Sequence, residues 1–210
     1  MPHSSVPAPR RSLAPSRLVV ATANPGKLRE FRSLLAGLPF ELTSLAELRL
    51  PSPEERGASF LANAMIKARH AAAVSGCAAV ADDSGIEVDA LGAEPGIYSA
   101  RYAGSGLSDA ANNAKLMNAL KGMPLDSRRA RYRCALVYVE AADAPPRVAE
   151  AAWEGFILEA PRGAGGFGYD PYFWLPELNK TAAELEPEEK NRLSHRGKAM
   201  RVLREMLVRA

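Results

Sequence analysis

Residues 130–141, ARYRCALVYVEA, alternate as strictly as a half-buried β-strand, with Tyr132, Cys134, Leu136 and Tyr138 on one face. RVAEAAWEGFILEA, residues 147–160, follows across a short DAPP break and predicts an antiparallel partner. A long hairpin of this kind must bury its apolar face against another layer. The chain before it supplies one. Leu18–Ala23 is a short apolar run with β-branched residues and predicts a buried strand. From Gly26, Leu28, Phe31, Leu34 and Leu35 recur at helical spacing until Gly37-Leu38-Pro39 stops them. Phe40–Thr43 predicts a second strand. SFLANAMIKARHAAAVSG predicts a helix capped by Ser59 and ended by Gly76. CAAVA then predicts a buried strand running into DDSG, read as a loop at its carboxyl end, with IEVDAL as a further strand. SDAANNAKLMNALKGM predicts a helix with a Ser or Asp cap, and HRGKAMRVLREMLVRA one whose stripe is Met200, Leu203, Met206 and Leu207. Helices alternating with strands, then a hairpin, predict an α/β fold with a mixed β-sheet flanked by helices. In such sheets ligands sit beyond the carboxyl ends of strands, so residues 22–27 and 82–85 are expected to face one crevice.

Composition narrows the function classes. Lys and Arg total 27 against 24 Asp and Glu, but Arg10, Arg11 and Arg17 all fall in an acid-free first 17 residues. The body is neutral, which argues against a nucleic-acid surface. Residues 1–17, rich in Pro, Ser, Ala and Arg, read as a disordered extension; no apolar signal core follows the paired arginines. No apolar run approaches the roughly 20 residues of a membrane span. Cys77 and Cys134 lie in apolar runs and read as two buried free thiols of a reducing, cytoplasmic setting.

Four short stretches carry chemistry. VVATANPGKLREF has the strand–turn–Gly–Lys–helix layout of a phosphate loop, but Ala21 and Leu28 occupy the positions where a Walker loop needs Gly and Ser/Thr. What remains is either an ordinary helix start capped by Asn24 or an anion site in which free N–H groups and Lys27 meet phosphate. ADDSG puts two adjacent carboxylates at the end of a buried run. They suit a divalent ion with phosphates, or proton abstraction from water, and equally a simple turn. The loop acids Glu54 and Glu55 are available to complete a metal site. GGFGYDP offers backbone approach with Phe167 or Tyr169 to stack on a base, and SHRGKAM places His195 and Arg196 at a helix start capped by Ser194.

Together TANPGK, FLANAMIKARHAA, ADDSGIEVDALGAEPGIYSARYAG, GGFGYDPYF, KTAAEL and SHRGKAM closely resemble the inosine triphosphate pyrophosphatase family, from about Leu18 to the C-terminal helix. The resemblance implies an elongated mixed sheet in residues 18–210, forming one two-lobed domain with a central substrate cleft, and usually a homodimer. It implies Mg²⁺-dependent cleavage of ITP, dITP and XTP to the monophosphate and pyrophosphate. By position it implies substrate contacts from Thr22, Ala23, Asn24, Pro25, Gly26 and Lys27, with Lys67 facing the phosphates. Glu54 and Asp83 fall on metal ligands, Asp83 also on the proton acceptor, and Ser84 on a substrate contact. Phe167, Gly168, Tyr169 and Asp170 match the base loop, and Lys190, His195 and Arg196 further substrate contacts. Ala23 stands where many members carry glycine, so its methyl would narrow the turn if its φ were positive.

Overall fold

The computed structural model describes residues 16–208. A single seven-stranded sheet runs through it in the order β2-β1-β3-β4-β5-β6-β7. These strands are β1 (Ser16–Val20), β2 (Phe40–Ser44), β3 (Ala78–Val88), β4 (Arg129–Val139), β5 (Arg147–Ile157), β6 (Phe173–Leu175) and β7 (Lys180–Thr181). β1 runs parallel to β2 and β3, and every later pairing is antiparallel, so the expected mixed α/β sheet is the observed one. The strand begins at Ser16, so Ser16 and Arg17 belong to the sheet rather than to the expected extension; residues 1–15 lie outside the described residues.

Helices cover both faces. α2 (Phe60–Ser75) lays Phe60, Ala64, Ala68 and Ala71 on Val19, Ala79 and Ala81. Small alanines let this helix sit close to the sheet, and its ends are set as expected, by Ser59 and by Gly76 in the left-handed region. α1 (Pro25–Leu34) and α5 (His195–Val208) cover the opposite face, where Phe31, Met200 and Leu203 pack on Leu18, Val20 and Leu136. Met206, expected in the α5 stripe, is exposed. α3 (Asp109–Ala119), capped by Ser108, packs Leu116 and its neighbour Leu120 against Ile86, Val88 and Tyr132 at the far end of the sheet. α4 (Pro187–Leu193) immediately precedes α5. Cys134 is buried as expected, but Cys77 is only half-buried; both are free. Among the described residues no helix is long and apolar enough to cross a membrane.

The main departure from expectation concerns DDSG. It is neither a turn nor a loop: β3 continues through it, with Asp82 opposite Leu136, Asp83 opposite Ala135 and Gly85 opposite Arg133 on β4. Eleven uninterrupted residues of β4 template the strand and override the turn-like composition of Asp-Asp-Ser-Gly. On its other edge β3 is paired with β1 only as far as Val80, because β1 ends there and leads to α1. Ala21 still donates its N–H to the Val80 carbonyl at 2.8 Å, and beyond it, among the described residues, no strand covers this edge of β3 until the bridge between Glu87 and Pro95. Further along, the Ile86 N–H would be left unpaired; the Ser99 hydroxyl accepts it at 2.9 Å.

That contact explains Gly85. A Cβ there would fall 2.4 Å from both the Gly96 carbonyl oxygen and Ser99 Oγ. Gly85→Ala is therefore expected to destabilise the protein by about 1–3 kcal/mol, since backbone must move to admit the methyl. Urea unfolding measures it; unchanged stability would show that the 96–99 segment yields freely.

Candidate active site

The period of a strand separates the two adjacent carboxylates. Successive β-strand side chains point to opposite faces, so Asp82 and Asp83 serve different sides of the sheet. Asp82 shares its face with Val80 and Ser84 and meets α1 and α5. Asp83 shares its face with Ala79 and Ala81 and meets α2.

Asp83 is held from α2 alone. Lys67 Nζ donates to Asp83 Oδ1 at 2.7 Å and Asn63 Nδ2 donates to Oδ2 at 3.2 Å. Asn63 and Lys67 are four residues apart and so lie on one helix face. Asn63 is fully buried, and its Oδ1 accepts the Gly57 N–H at 2.7 Å, which fixes the amide with its donor towards Asp83. Each carboxylate oxygen of Asp83 keeps capacity for a further partner. Burial pushes the Asp83 carboxyl above its ordinary value, against the opposing pull of Lys67 and Lys27. Lys67 also contacts Glu55 at 3.3 Å. Glu54 is turned away: its side chain is 70% exposed and pairs with Arg56 at 2.6 Å. Among the described residues no group of three His, Cys, Asp or Glu side chains converges on one point. What the structure brings together is two carboxylates, Asp83 and Glu55, around one cationic position taken by Lys67.

Asp82 is saturated by comparison. It forms an ion pair with Lys27, accepts from Arg196 Nε and from Cys134 Sγ at 3.1 Å each, and accepts from Ser84 Oγ at 3.1 Å. Burial works against its charge, but the Arg196 and Lys27 cations outweigh it and hold its carboxyl well below the usual range. Arg196, itself buried, also donates to Ser84 Oγ at 2.7 Å and pairs with Glu30 of α1. Glu30 pairs in turn with Lys190 at 3.1 Å, and Lys190 donates to Asp170 at 2.6 Å. Asp170 accepts further from Tyr132 OH at 3.1 Å and from the Phe167 N–H at 2.8 Å. One charge chain thus ties α1, β3, α4, α5 and the glycine-rich loop together.

The expected crevice exists, and its reason is now geometric. The turn at 22–24 carries Asn24, whose Oδ1 accepts the Lys27 N–H at 3.0 Å, and this cap swings Lys27 onto Asp82. Thr22 Oγ1 accepts the Asn24 N–H at 3.2 Å, Pro25 opens α1, and Ala23 is not among the residues of positive φ, so its methyl meets no backbone penalty. A Cβ on Gly26 would fall 2.6 Å from the Phe167 ring, so glycine there permits the aromatic loop to close on α1. The result is a cavity of about 150 Å³ whose lining includes Lys27, Ser84, Tyr132, Phe167, His195 and Asp170. Lys190 stands 4.7 Å from the Phe167 ring centroid, and His195 stacks on Tyr132 at 4.7 Å with an interplanar angle of 7°. Among the described residues nothing pairs with His195 Nδ1, which is buried. Most donors of Arg196 are consumed by Asp82, Glu30 and Ser84, so it braces the wall of the cavity.

Residues 18–206 match the family model described as the Ham1 family. The chain belongs to this family. It is 54% identical to the dITP/XTP pyrophosphatase of Thioalkalivibrio sulfidiphilus over 192 residues, covering 91% of this chain and 98% of the relative. It is 52% identical to the dITP/XTP pyrophosphatase of Vibrio cholerae over 188 residues, covering 89% and 94%. Among solved structures, a HAM1 protein from Coxiella burnetii superposes with a TM-score of 0.85 at 42% identity, covering 93% of this chain and all 100% of that one. Ham1 membership agrees with the family that the motifs implied. Asn63 and Glu30 were not singled out by the sequence motifs, and Asp82 and Glu55 entered only as one of an adjacent acid pair and as a loop acid. The available signal for Asn63 was a lone amide four residues before Lys67 on an alanine-rich helix face.

The neutral state of His195 has a pH consequence. Burial, then the adjacent Arg196 charge, hold its imidazolium well below the ordinary 6.5. Below that pH the unfolded chain binds a proton that the folded one refuses, so stability falls with a slope of up to about 1.4 kcal/mol per pH unit. Asp82, whose folded value is depressed, adds its loss only below about pH 4. Urea unfolding of wild type and His195→Gln at pH 7.5, 6.5 and 5.5 should show the wild-type advantage shrinking on acidification. Parallel pH profiles would remove His195 as the cause.

Proposed function

We propose that this chain hydrolyses the non-standard purine nucleoside triphosphates ITP, dITP and XTP to the monophosphate and pyrophosphate, clearing them before they enter DNA or RNA. The observation that carries the reading is Asp83, gripped from α2 at the open edge of β3 beside a small aromatic cavity. The names of the relatives support it.

In this reading Asp83 orients a water and takes its proton. Lys67 and Asn63 keep the two carboxylate oxygens in place while the water attacks the α-phosphorus and pyrophosphate leaves. Lys27 and Lys67, one on each face of β3, donate to phosphate oxygens as negative charge builds on the leaving group. Asp83 and Glu55, which already share Lys67, supply the oxygen donors that would hold Mg²⁺, and Glu54 would join them only on leaving Arg56. When bound, the ion neutralises triphosphate charge and polarises a phosphoryl oxygen.

Base choice follows from hydrogen-bond sense. Hypoxanthine and xanthine present a C6 carbonyl and a protonated ring nitrogen, whereas adenine presents the reverse. His195 lines the cavity as a neutral ring, and it is the side chain assigned to read that edge, its tautomer setting donor or acceptor. Phe167 and Tyr169 belong to the base loop, and Thr22–Gly26 to the turn beneath the phosphates. A homodimer and a cytoplasmic setting complete the proposal.

The test is pyrophosphate release from ITP, XTP, dITP, GTP and ATP with Mg²⁺. The first three are expected to be preferred, with ATP slower by about 100-fold, since each mismatched buried polar group costs about 1–3 kcal/mol. Asp83→Asn should fold normally and lose about 10²–10⁴-fold in kcat. Equal kcat/KM for ITP and GTP would make the chain a general nucleotide pyrophosphatase, and near wild-type turnover in the variant would take Asp83 out of its role.

A further inference from the structure

Two walls of the cavity are irregular backbone. Ser99 and Ala100 belong to the 3₁₀ segment Gly96–Arg101, and Phe167 to Asp170 belong to the glycine-rich loop. Such segments have no ladder of their own to fix their spacing, so their backbone groups must be held by side chains. The side chains that do so come from α3. Asp109, Asn112 and Asn113 stand at i, i+3 and i+4 and share one helix face.

Asp109 Oδ2 accepts the Gly168 N–H at 2.7 Å, and Asn113 Nδ2 donates to the Gly168 carbonyl at 2.9 Å. Both backbone polar groups of Gly168, a residue at φ +63, are therefore tied to one helix. Asn112 does the same for the other wall: its Oδ1 accepts the Ala103 N–H at 2.8 Å and its Nδ2 donates to the Ala100 carbonyl at 3.3 Å. Tyr169 OH closes the frame by donating to the Ser99 carbonyl at 2.8 Å. Asn112 and Asn113 are only 3% and 8% exposed. Asn113 is buried although its Oδ1 finds no partner among the described residues, and its amide's bond there is the one to Gly168. The bonds from the three go to the backbone of the lining residues Gly168 and Ala100 and of Ala103 just beyond, and Asp109 and Asn112 also line the cavity.

We propose that Asp109, Asn112 and Asn113 of α3 are specificity-determining positioning residues, which fix the width of the base cavity by holding Gly168 and the 100–103 backbone at set positions. This rests on reading the cavity as a purine site. Guanine shares the carbonyl edge of hypoxanthine and differs by one amino group. Walls held at fixed spacing can reject that group, and walls that drift admit it. A single such group changes kcat/KM by about 10–200-fold. Among the described residues no hydrogen bond of the α3 face goes to Asp83, Asn63 or Lys67, so loosening it alters base fit and leaves the grip on Asp83 in place.

The experiment compares wild type, Asp109→Ala, Asp109→Asn and Asn113→Ala. Asp109→Asn keeps an acceptor oxygen for the Gly168 N–H and serves as the conservative rescue. Asp109→Ala and Asn113→Ala should raise KM for ITP about tenfold with kcat within about twofold, and lower the ITP-to-GTP ratio of kcat/KM by about tenfold. Asp109→Asn should stay near wild type in both. Hydrogen exchange at the Gly168 amide, read without substrate, should speed up in the two alanine variants and not in Asp109→Asn. Wild-type KM and selectivity in Asp109→Ala, a loss confined to kcat, an equal loss in Asp109→Asn, or unchanged Gly168 exchange would each overturn the proposal. If exchange behaves as stated but the wild type releases no pyrophosphate from ITP, the purine reading fails, and the specificity role with it.

Discussion

The buried ion pair between Arg196 and Asp82 is the contact on which the site depends. It joins the first turn of α5 to the middle of β3, and both partners are almost wholly removed from water. Two charges in that position are tolerable only with near-complete hydrogen bonding, and losing one partner of such a pair costs about 3–5 kcal/mol. The hydrogen bonding is supplied: Lys27, Ser84 and Cys134 complete the acid, and Glu30 and Ser84 complete the guanidinium. Because Glu30 also holds Lys190, and Lys190 holds Asp170, the pair sets the distance between α1, α5 and the aromatic loop. The cavity is the space those elements leave.

The same dipeptide therefore yields two different acids. Asp82 is over-supplied with cations, stays charged, and has little left to offer a ligand. Asp83 has one donor on each oxygen, both from α2, and sits where the loss of β1 leaves the β3 edge open. Burial raises its carboxyl and leaves it able to take a proton. A one-residue shift in strand register would exchange the two faces and with them the two roles. The long pairing of β3 with β4, from Ala79–Val139 to Val88–Ala130, is what forbids that shift.

Much of this was legible in the chain. The α2 caps, the β4–β5 hairpin and the α5 start follow from local patterns that agree with the tertiary structure. DDSG was not legible as a strand, because Asp, Ser and Gly are poor strand formers and their pairing is decided by β4, fifty residues away. Glycine at position 85 is there for the approach of Ser99 to the open edge, a tertiary cause that resembles a turn signal when read locally. Lys27 looked like a free cation at a helix start, and its partner Asp82 was invisible until β1 and β3 were placed side by side. Glu30 and Asn63 were lost among helix residues, since a polar side chain on a buried face declares itself only through the group it meets.

The geometry also explains why base recognition and hydrolysis can be tuned apart. The aromatic cavity takes Ser84, Tyr132 and His195 from the Asp82 face and reaches Gly85 at the strand edge, while Asp83, Asn63 and Lys67 lie on the α2 face and do not line it. The two sets communicate through β3 and across the edge vacated by β1, where Lys27 acts on both carboxylates. A change in the cavity wall that leaves β3 in register leaves the grip on Asp83 as it was, because no bond of that grip comes from the cavity side. Conversely, the Asn63 link to Gly57 couples Asp83 to the acidic loop without involving the base loop at all. One strand with carboxylates on both faces thus carries two separable tasks, and the charges of Lys27 and Lys67 each reach both carboxylates.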